Sequence, residues 1–215
     1  MSEKDAQFWD KAARKYAAAA IDDEAGFERT LARSRALIPS RSRVLELGCG
    51  TGTVALRLAD CAESYLATDI SAGMLAIAQE KLDAARQSGF NAALAFRQAT
   101  VDTLAPEGVH YDVVVGFNYL HLAGSLPDVL SDIRSMLVPG GLFISKTPCL
   151  AEMNPLIRLA IPVMRFFGKA PDVVTACSPA SLIQDIAAAG FDILENERHG
   201  TKKTDFRPFI VARAL

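Results

Sequence analysis

The chain is short of the residues that build cross-links and metal sites. Its four cysteines (Cys49, Cys61, Cys149 and Cys177) show no Cys-x-x-Cys spacing, and its three histidines are scattered at 110, 121 and 199. Neither a disulfide framework nor a zinc site is supported, and no metal is expected. Basic residues are not in excess, with 23 Lys+Arg against 25 Asp+Glu. A net charge of −2 lacks the basic face that nucleic acid demands. Lys202, Lys203 and Arg207 make a small cluster that a solvated surface explains equally well. No stretch approaches the roughly 18 uncharged apolar residues of a spanning helix. The nearest, Pro155 to Phe167, is broken by Arg158 and Arg165. Met1 to Gln7 are charged and polar, which reads as no signal peptide. The expectation is a cytoplasmic protein with reduced thiols and no membrane span. Apolar residues, by contrast, are plentiful: 50% of 215 residues, with a mean hydropathy of +0.17. One domain of that size buries about 70% of its unfolded surface.

The most informative stretch is Val44-Leu-Glu-Leu-Gly-Cys-Gly-Thr-Gly52. An apolar run stops on glycines at every second position, and a helix opens at Thr53. Gly48, Gly50 and Gly52 carry no Cβ, so the loop can adopt φ > 0 and let a ligand lie against the main chain. The helix start behind it offers N–H groups without intrahelical partners. Asp69 follows 17 residues after Gly52, closing a second apolar run. An acid at that strand tip is placed to grip a ribose diol. The reading is a nucleoside-cofactor site. A dinucleotide fingerprint needs Gly-x-Gly-x-x-Gly, but Thr53 stands at its third glycine, and no Gly-Lys-Ser/Thr follows for a P-loop. An ordinary βαβ unit whose glycines only make tight turns is the plain alternative. Cys49 reads as a small turn residue rather than a nucleophile.

Three motifs in order, Glu46-x-Gly48-x-Gly50-x-Gly52, Asp69-Ile70-Ser71 and Leu137-Val-Pro-Gly-Gly141, resemble a class I S-adenosylmethionine-dependent methyltransferase across residues 40 to 147. The resemblance implies a Rossmann-like, doubly wound α/β fold. Its sheet would have seven strands, mostly parallel with an antiparallel last strand, and its N-terminal helices would form a lid. It also implies S-adenosyl-L-methionine as cofactor. The loop Gly48 to Gly52, including Cys49, would pass under the methionine part. Glu46 would orient the loop or reach the amino group through water, Asp69 would take the ribose hydroxyls, and Ile70 and Met74 would sandwich the adenine. Core packing is the rival reading for Ile70 and Met74. An acid usually holds the adenine amino group after the third strand. Here Gln98-Ala-Thr-Val-Asp102 places Thr100 there, beside Val101. A neutral acceptor contributes about 0.5–1.5 kcal/mol against about 1.5–3 for a charged one, so affinity is slightly weakened or Asp102 substitutes.

Periodicity organises the rest as a single domain. Residues 1–38 hold two helices, Gln7 to Ala20 and a run from Asp22/Asp23 to Leu37; residues 40–147 hold the cofactor core. Strands are expected at Asn91 to Gln98, Tyr111 to Gly116 and Leu142 to Lys146. Asp112-Val-Val-Val115 suits a sheet covered on both faces. Alternation of strands with helices implies parallel pairing. Residues 148–177 form a proline-punctuated insertion bearing Met153, Leu156, Ile157, Met164, Phe166 and Phe167. It is open to three readings: a roof over an apolar pocket, a homodimer contact, or a membrane-surface helix. Residues 178–215 hold a helix capped by Ser178 and an antiparallel strand pair, Phe191 to Glu197 and Phe206 to Ala212.

Methyl transfer is an in-line displacement that neutralises the sulfonium, so it demands positioning and exclusion of water rather than a metal. Candidates beside the methyl are Tyr16 on the first helix and Asn118-Tyr119-Leu120-His121 after the fourth strand, where topology aims loops at the crevice, and Tyr16, Phe117 and Asn118 are also expected to touch the cofactor. His121 is the general-base candidate, and Tyr16 the second catalytic candidate. A packing role is the alternative for Tyr16, and a structural histidine for His121. His110 reads as a surface residue, and His199 is not placed by the pattern. The acceptor is expected to be a small molecule. A nucleic-acid methyltransferase is disfavoured because Phe117-Asn118-Tyr119-Leu120 stands where an Asn/Asp-Pro-Pro-aromatic loop belongs. A protein that binds the cofactor without catalysis, as a regulatory or scaffold subunit, remains the alternative.

Overall fold

The computed structural model describes residues 2–152, 174–202 and 205–215. Two helices lead, α1 (Glu3–Ala18) and α2 (Glu24–Leu37), followed by β1 (Arg43–Leu47), α3 (Thr53–Leu58), β2 (Ser64–Asp69) and α4 (Ala72–Gln87). The middle holds β3 (Leu94–Gln98), α5 (Val101–Leu104), β4 (Tyr111–Phe117), α6 (Leu126–Ser135) and β5 (Leu137–Lys146). The chain closes with α7 (Pro179–Ala188), β6 (Phe191–Arg198) and β7 (Pro208–Ala214). The seven strands run in the order β3-β2-β1-β4-β5-β7-β6. β1 to β5 pair in parallel, while β7 inserts antiparallel between β5 and β6. This is the Rossmann-like, doubly wound sheet expected from the motifs.

Strand alternation splits the core into two layers. Val114, Leu45, Phe143 and Ile210 enter the layer under α6 and α7, with Leu130, Ile133, Leu182 and Ile186. Their chain neighbours Val113, Val115, Val44, Ile144 and Val211 face the other layer, with Leu31, Leu58 and Leu82. A continuous apolar run such as β4 is therefore apolar because both faces are covered.

Several boundaries moved. The first helix starts at Glu3 rather than Gln7, because Ser2 and Asp5 form a reciprocal capping box. β3 begins at Leu94 rather than Asn91, since Ala92 accepts from the Leu94 N–H in a tight turn. β5 starts at Leu137, with Pro139-Gly140-Gly141 absorbed as an irregularity in its pairing with β4. Of the 148–177 insertion, residues 153–173 lie outside the described residues, as do the apolar side chains singled out there. Among the described residues, no helix is long and apolar enough to cross a membrane.

Candidate active site

Strand order reverses at β1, with β2 on one side and β4 on the other. The loops leaving the carboxyl ends of these strands must diverge there and leave a crevice. Two cavities of about 310 and about 300 Å³ occupy it, and both are lined by Tyr16, Gly48, Gly50, Phe117 and Asn118.

The glycine loop is fixed by its neighbours. Cys49 N–H donates to Thr68 O at 2.9 Å, and Gly50 N–H donates to Asp69 Oδ2 at 2.8 Å. Gly48, Gly50 and Gly52 all take positive φ (68°, 54° and 74°). A Cβ on Gly48 would lie 2.7 Å from the Tyr119 ring, whereas one on Gly50 would meet only Tyr16 at 3.8 Å. Gly50 thus presents bare backbone to open space, as a ligand lying on the main chain requires. Gly52 does something else. It lines neither cavity; its Cβ would strike Phe96 at 2.7 Å and Ala78 at 2.9 Å. Its bareness lets α3 leave β1 against β3 and α4, which corrects its expected ligand-facing place.

Asp69 lines the first cavity with both carboxylate oxygens anchored, Oδ2 by Gly50 N–H and Oδ1 by Ser71 N–H at 2.9 Å. Burial raises its pKa, while the Ser71, Gly50 and Ile70 N–H groups oppose that rise. Each oxygen retains a lone pair, so two hydroxyls could still be accepted. Ile70, Met74, Thr100 and Val101 line the same cavity, with Trp9 from α1. Met74 lines the cavity and is also buried with Ala13 of α1 and Ile77. Thr100 caps α5, its hydroxyl 3.4 Å from that of Thr103, whose side chain accepts the Thr100 N–H. Asp102 is exposed and lines neither cavity, so it does not stand in for the missing acid.

α1 is held in place over this end. Asp10 Oδ1 accepts from Ser71 Oγ at 2.6 Å and Gly73 N–H at 2.8 Å, so an acid on α1 helps cap α4. Tyr16 follows further along α1, 51% exposed, with its ring edge-on to Trp9. Desolvation and the Asp69 charge raise its phenol pKa.

Glu46 and Cys49 line the second cavity, not the first. Glu46 is buried and accepts from Tyr65 OH at 2.8 Å; no hydrogen bond joins its carboxylate to the glycine loop among the described residues. Burial pushes its pKa up to about 7, opposed by the tyrosine bond and reinforced by Asp69. Cys49 is buried and its thiol is pushed well up by desolvation, which suits a turn residue. Asn118 sits at φ 51°, a left-handed non-glycine position, and its N–H donates to Lys146 O at 2.7 Å. His121, in a single turn of 3₁₀ helix, lines the first cavity. Burial lowers its pKa to about 4, so it is neutral at pH 7. Its Nδ1 is buried with no partner among the described residues, leaving Nε2 as the nitrogen able to meet a proton.

Pattern reading missed the far wall: Thr30, Lys146 and Arg207 line the second cavity from α2, β5 and the β6–β7 connection. The only available signal was a lysine closing an apolar strand. His199 is now placed. It is 1% exposed, its Nδ1 lies 3.1 Å from Thr30 Oγ1, and it stacks on Phe209. His110 is exposed, as expected. Among the described residues no cluster of His, Cys, Asp or Glu could hold a metal.

Residues 45–143 match the family described as a methyltransferase domain. Over those residues the chain carries a domain of the class I S-adenosylmethionine-dependent methyltransferase family. A hybrid PKS-NRPS synthetase, iccA of Talaromyces variabilis, is 37% identical over 173 residues, which is 73% of this chain and 4% of that protein. This methyltransferase therefore spans only a few percent of the length of its synthetase relatives. Among solved structures, the DhpI–SAH complex shares the fold at TM-score 0.73 and 21% identity, covering 99% of this chain and 96% of that one. The CurJ carbon methyltransferase shares it at TM-score 0.62 and 24% identity, covering 82% and 50%. S-adenosylmethionine is the cofactor that this membership supports. Open backbone at Gly50, the doubly anchored Asp69 carboxylate and the apolar patch of Trp9, Ile70 and Met74 fit it.

Proposed function

We propose that this methyltransferase moves a methyl group from S-adenosylmethionine onto a small-molecule acceptor by in-line displacement. The observation that carries the reading is the pair of cavities sharing Gly48, Gly50 and Asn118, one holding Asp69 and His121, the other continuing toward Lys146. When bound, the cofactor supplies an electrophilic methyl on a positively charged sulfur. Asp69 holds the ribose hydroxyls, Ile70 and Met74 pack the adenine, and Thr100 with Val101 border its edge. The Gly48–Gly50 backbone, with Glu46 and Cys49 behind it, carries the methionine part. Tyr16 covers the methyl end and Phe117 with Asn118 form its floor, so water is excluded as the nucleophile arrives. His121 takes the acceptor's proton at Nε2, being neutral across the physiological range. Its low pKa makes it a weak base, which suits an acceptor already acidified by a neighbouring carbonyl.

The names of the similar proteins, polyketide-assembling synthetases and a carbon methyltransferase, support an acceptor of that kind. The test is incubation with labelled S-adenosylmethionine and a panel of 1,3-dicarbonyls, phenols and amines, reading release of S-adenosylhomocysteine. Label transfer to a dicarbonyl carbon is the expected result. Tight cofactor binding with no product from any acceptor class would contradict the proposal.

A further inference from the structure

We propose that the acceptor carries a carboxylate, which Lys146 and Arg207 hold at the far end of the second cavity. The inference rests on the methyltransferase reading and names the substrate class. Lys146 is only 7% exposed, and its Nζ donates to a single group, Thr30 Oγ1 at 3.0 Å. An ammonium has three N–H donors, and it makes no ion pair among the described residues. Thr30 cannot compensate, because its hydroxyl is already shared between Gly26 O at 2.8 Å and His199 Nδ1 at 3.1 Å. A buried cation with idle donors is costly unless something else meets it. Arg207 lines the same cavity and, among the described residues, uses only Nε, toward Asp205 Oδ1 at 2.6 Å, which leaves its terminal nitrogens for a carboxylate fork.

The acids lining this cavity are engaged elsewhere. Asp22 accepts from Lys202 at 2.6 Å, Asp23 accepts from Gly26 N–H and from both donors of Thr201, and Glu46 accepts from Tyr65. Lys146 also sits where the acceptor must stand, its carbonyl accepting the Asn118 N–H at the border between the two cavities.

A carboxylate could come from the acceptor or from the cofactor's own methionine end, and the variants separate them. The experiment titrates 3-phenylpropanoate and its methyl ester into the protein, with and without S-adenosylhomocysteine, by NMR. The expected result is an acid-over-ester preference of about tenfold or more in wild type. It should fall below about threefold in Lys146→Met and in the more exposed Arg207→Gln, with S-adenosylhomocysteine affinity kept within about twofold. Equal binding of acid and ester in wild type overturns the proposal, as does a preference that survives both substitutions. Loss of S-adenosylhomocysteine affinity in both variants assigns the pair to the cofactor's carboxylate and also overturns it. A wild type that prefers the acid but binds no S-adenosylhomocysteine sinks the methyltransferase reading, and the acceptor role with it.

Discussion

Around the first cavity the polar contacts run mainly from backbone to side chain: Gly50 and Ser71 N–H donate to Asp69, and Gly73 N–H donates to Asp10, beside the side-chain bond from Ser71 Oγ to Asp10. Around the second, bonds between side chains of distant segments join them: Lys146 to Thr30, Thr30 to His199, and Tyr65 to Glu46. The first set depends on loop conformation that glycine spacing encodes locally. The second set depends on which residue happens to fill each position of the fold. A wall of the first kind can be written in a short local motif, whereas a wall of the second kind exists only once the whole fold has formed.

The sharpest way to break that contrast is at Gly52. Valine there must hold φ near 74° while its side chain meets Phe96 and Ala78. We expect a loss of about 3 kcal/mol in denaturant unfolding; a change under about 0.5 kcal/mol would show that the loop is not conformationally fixed. Next is Glu46, at the seam. Its folded pKa of about 7 lies above the usual carboxylate value, so the folded state binds the proton more tightly. Folding is therefore favoured by that group at low pH and loses its contribution as pH rises through about 7. Glu46→Gln should remove this slope and gain roughly 2 kcal/mol on wild type at pH 8 relative to pH 5, read in cofactor-free urea melts. Parallel pH profiles for the two proteins would refute the assignment.

Smaller effects sharpen the boundary between the halves. His121→Ala is expected to cut turnover by about tenfold or more with cofactor affinity within about twofold; undiminished turnover removes it as base. Asp10→Ala unhooks α1 from α4 and should cost about 1 kcal/mol of stability. A matching loss of cofactor affinity would show that α1 closes the first cavity as well as resting on it.

How much the sequence discloses follows the same division. The strand positions, the glycine loop, Asp69 at its strand tip and the antiparallel ending were legible because each leaves a short-range mark: apolar runs, closely spaced glycines, an acid after a strand, a connection too short for a helix. Gly52 was placed correctly on the loop but its purpose was not, since only the fold brings Phe96 and Ala78 against it. Lys146 left only the mark of a lysine closing an apolar strand and Arg207 that of a small basic cluster, and nothing local joined either to Thr30. The Lys146–Thr30 bond alone spans 116 residues. His199 was unreadable for the same reason, because its partner Thr30 comes from α2.

The most direct test is a calorimetric titration of S-adenosylmethionine into the wild-type protein and into Asp69→Ala. The account predicts wild-type binding near the micromolar range, about −8 kcal/mol, weakened at least about tenfold in the variant. No binding by a folded wild type, or equal binding by both proteins, would contradict it.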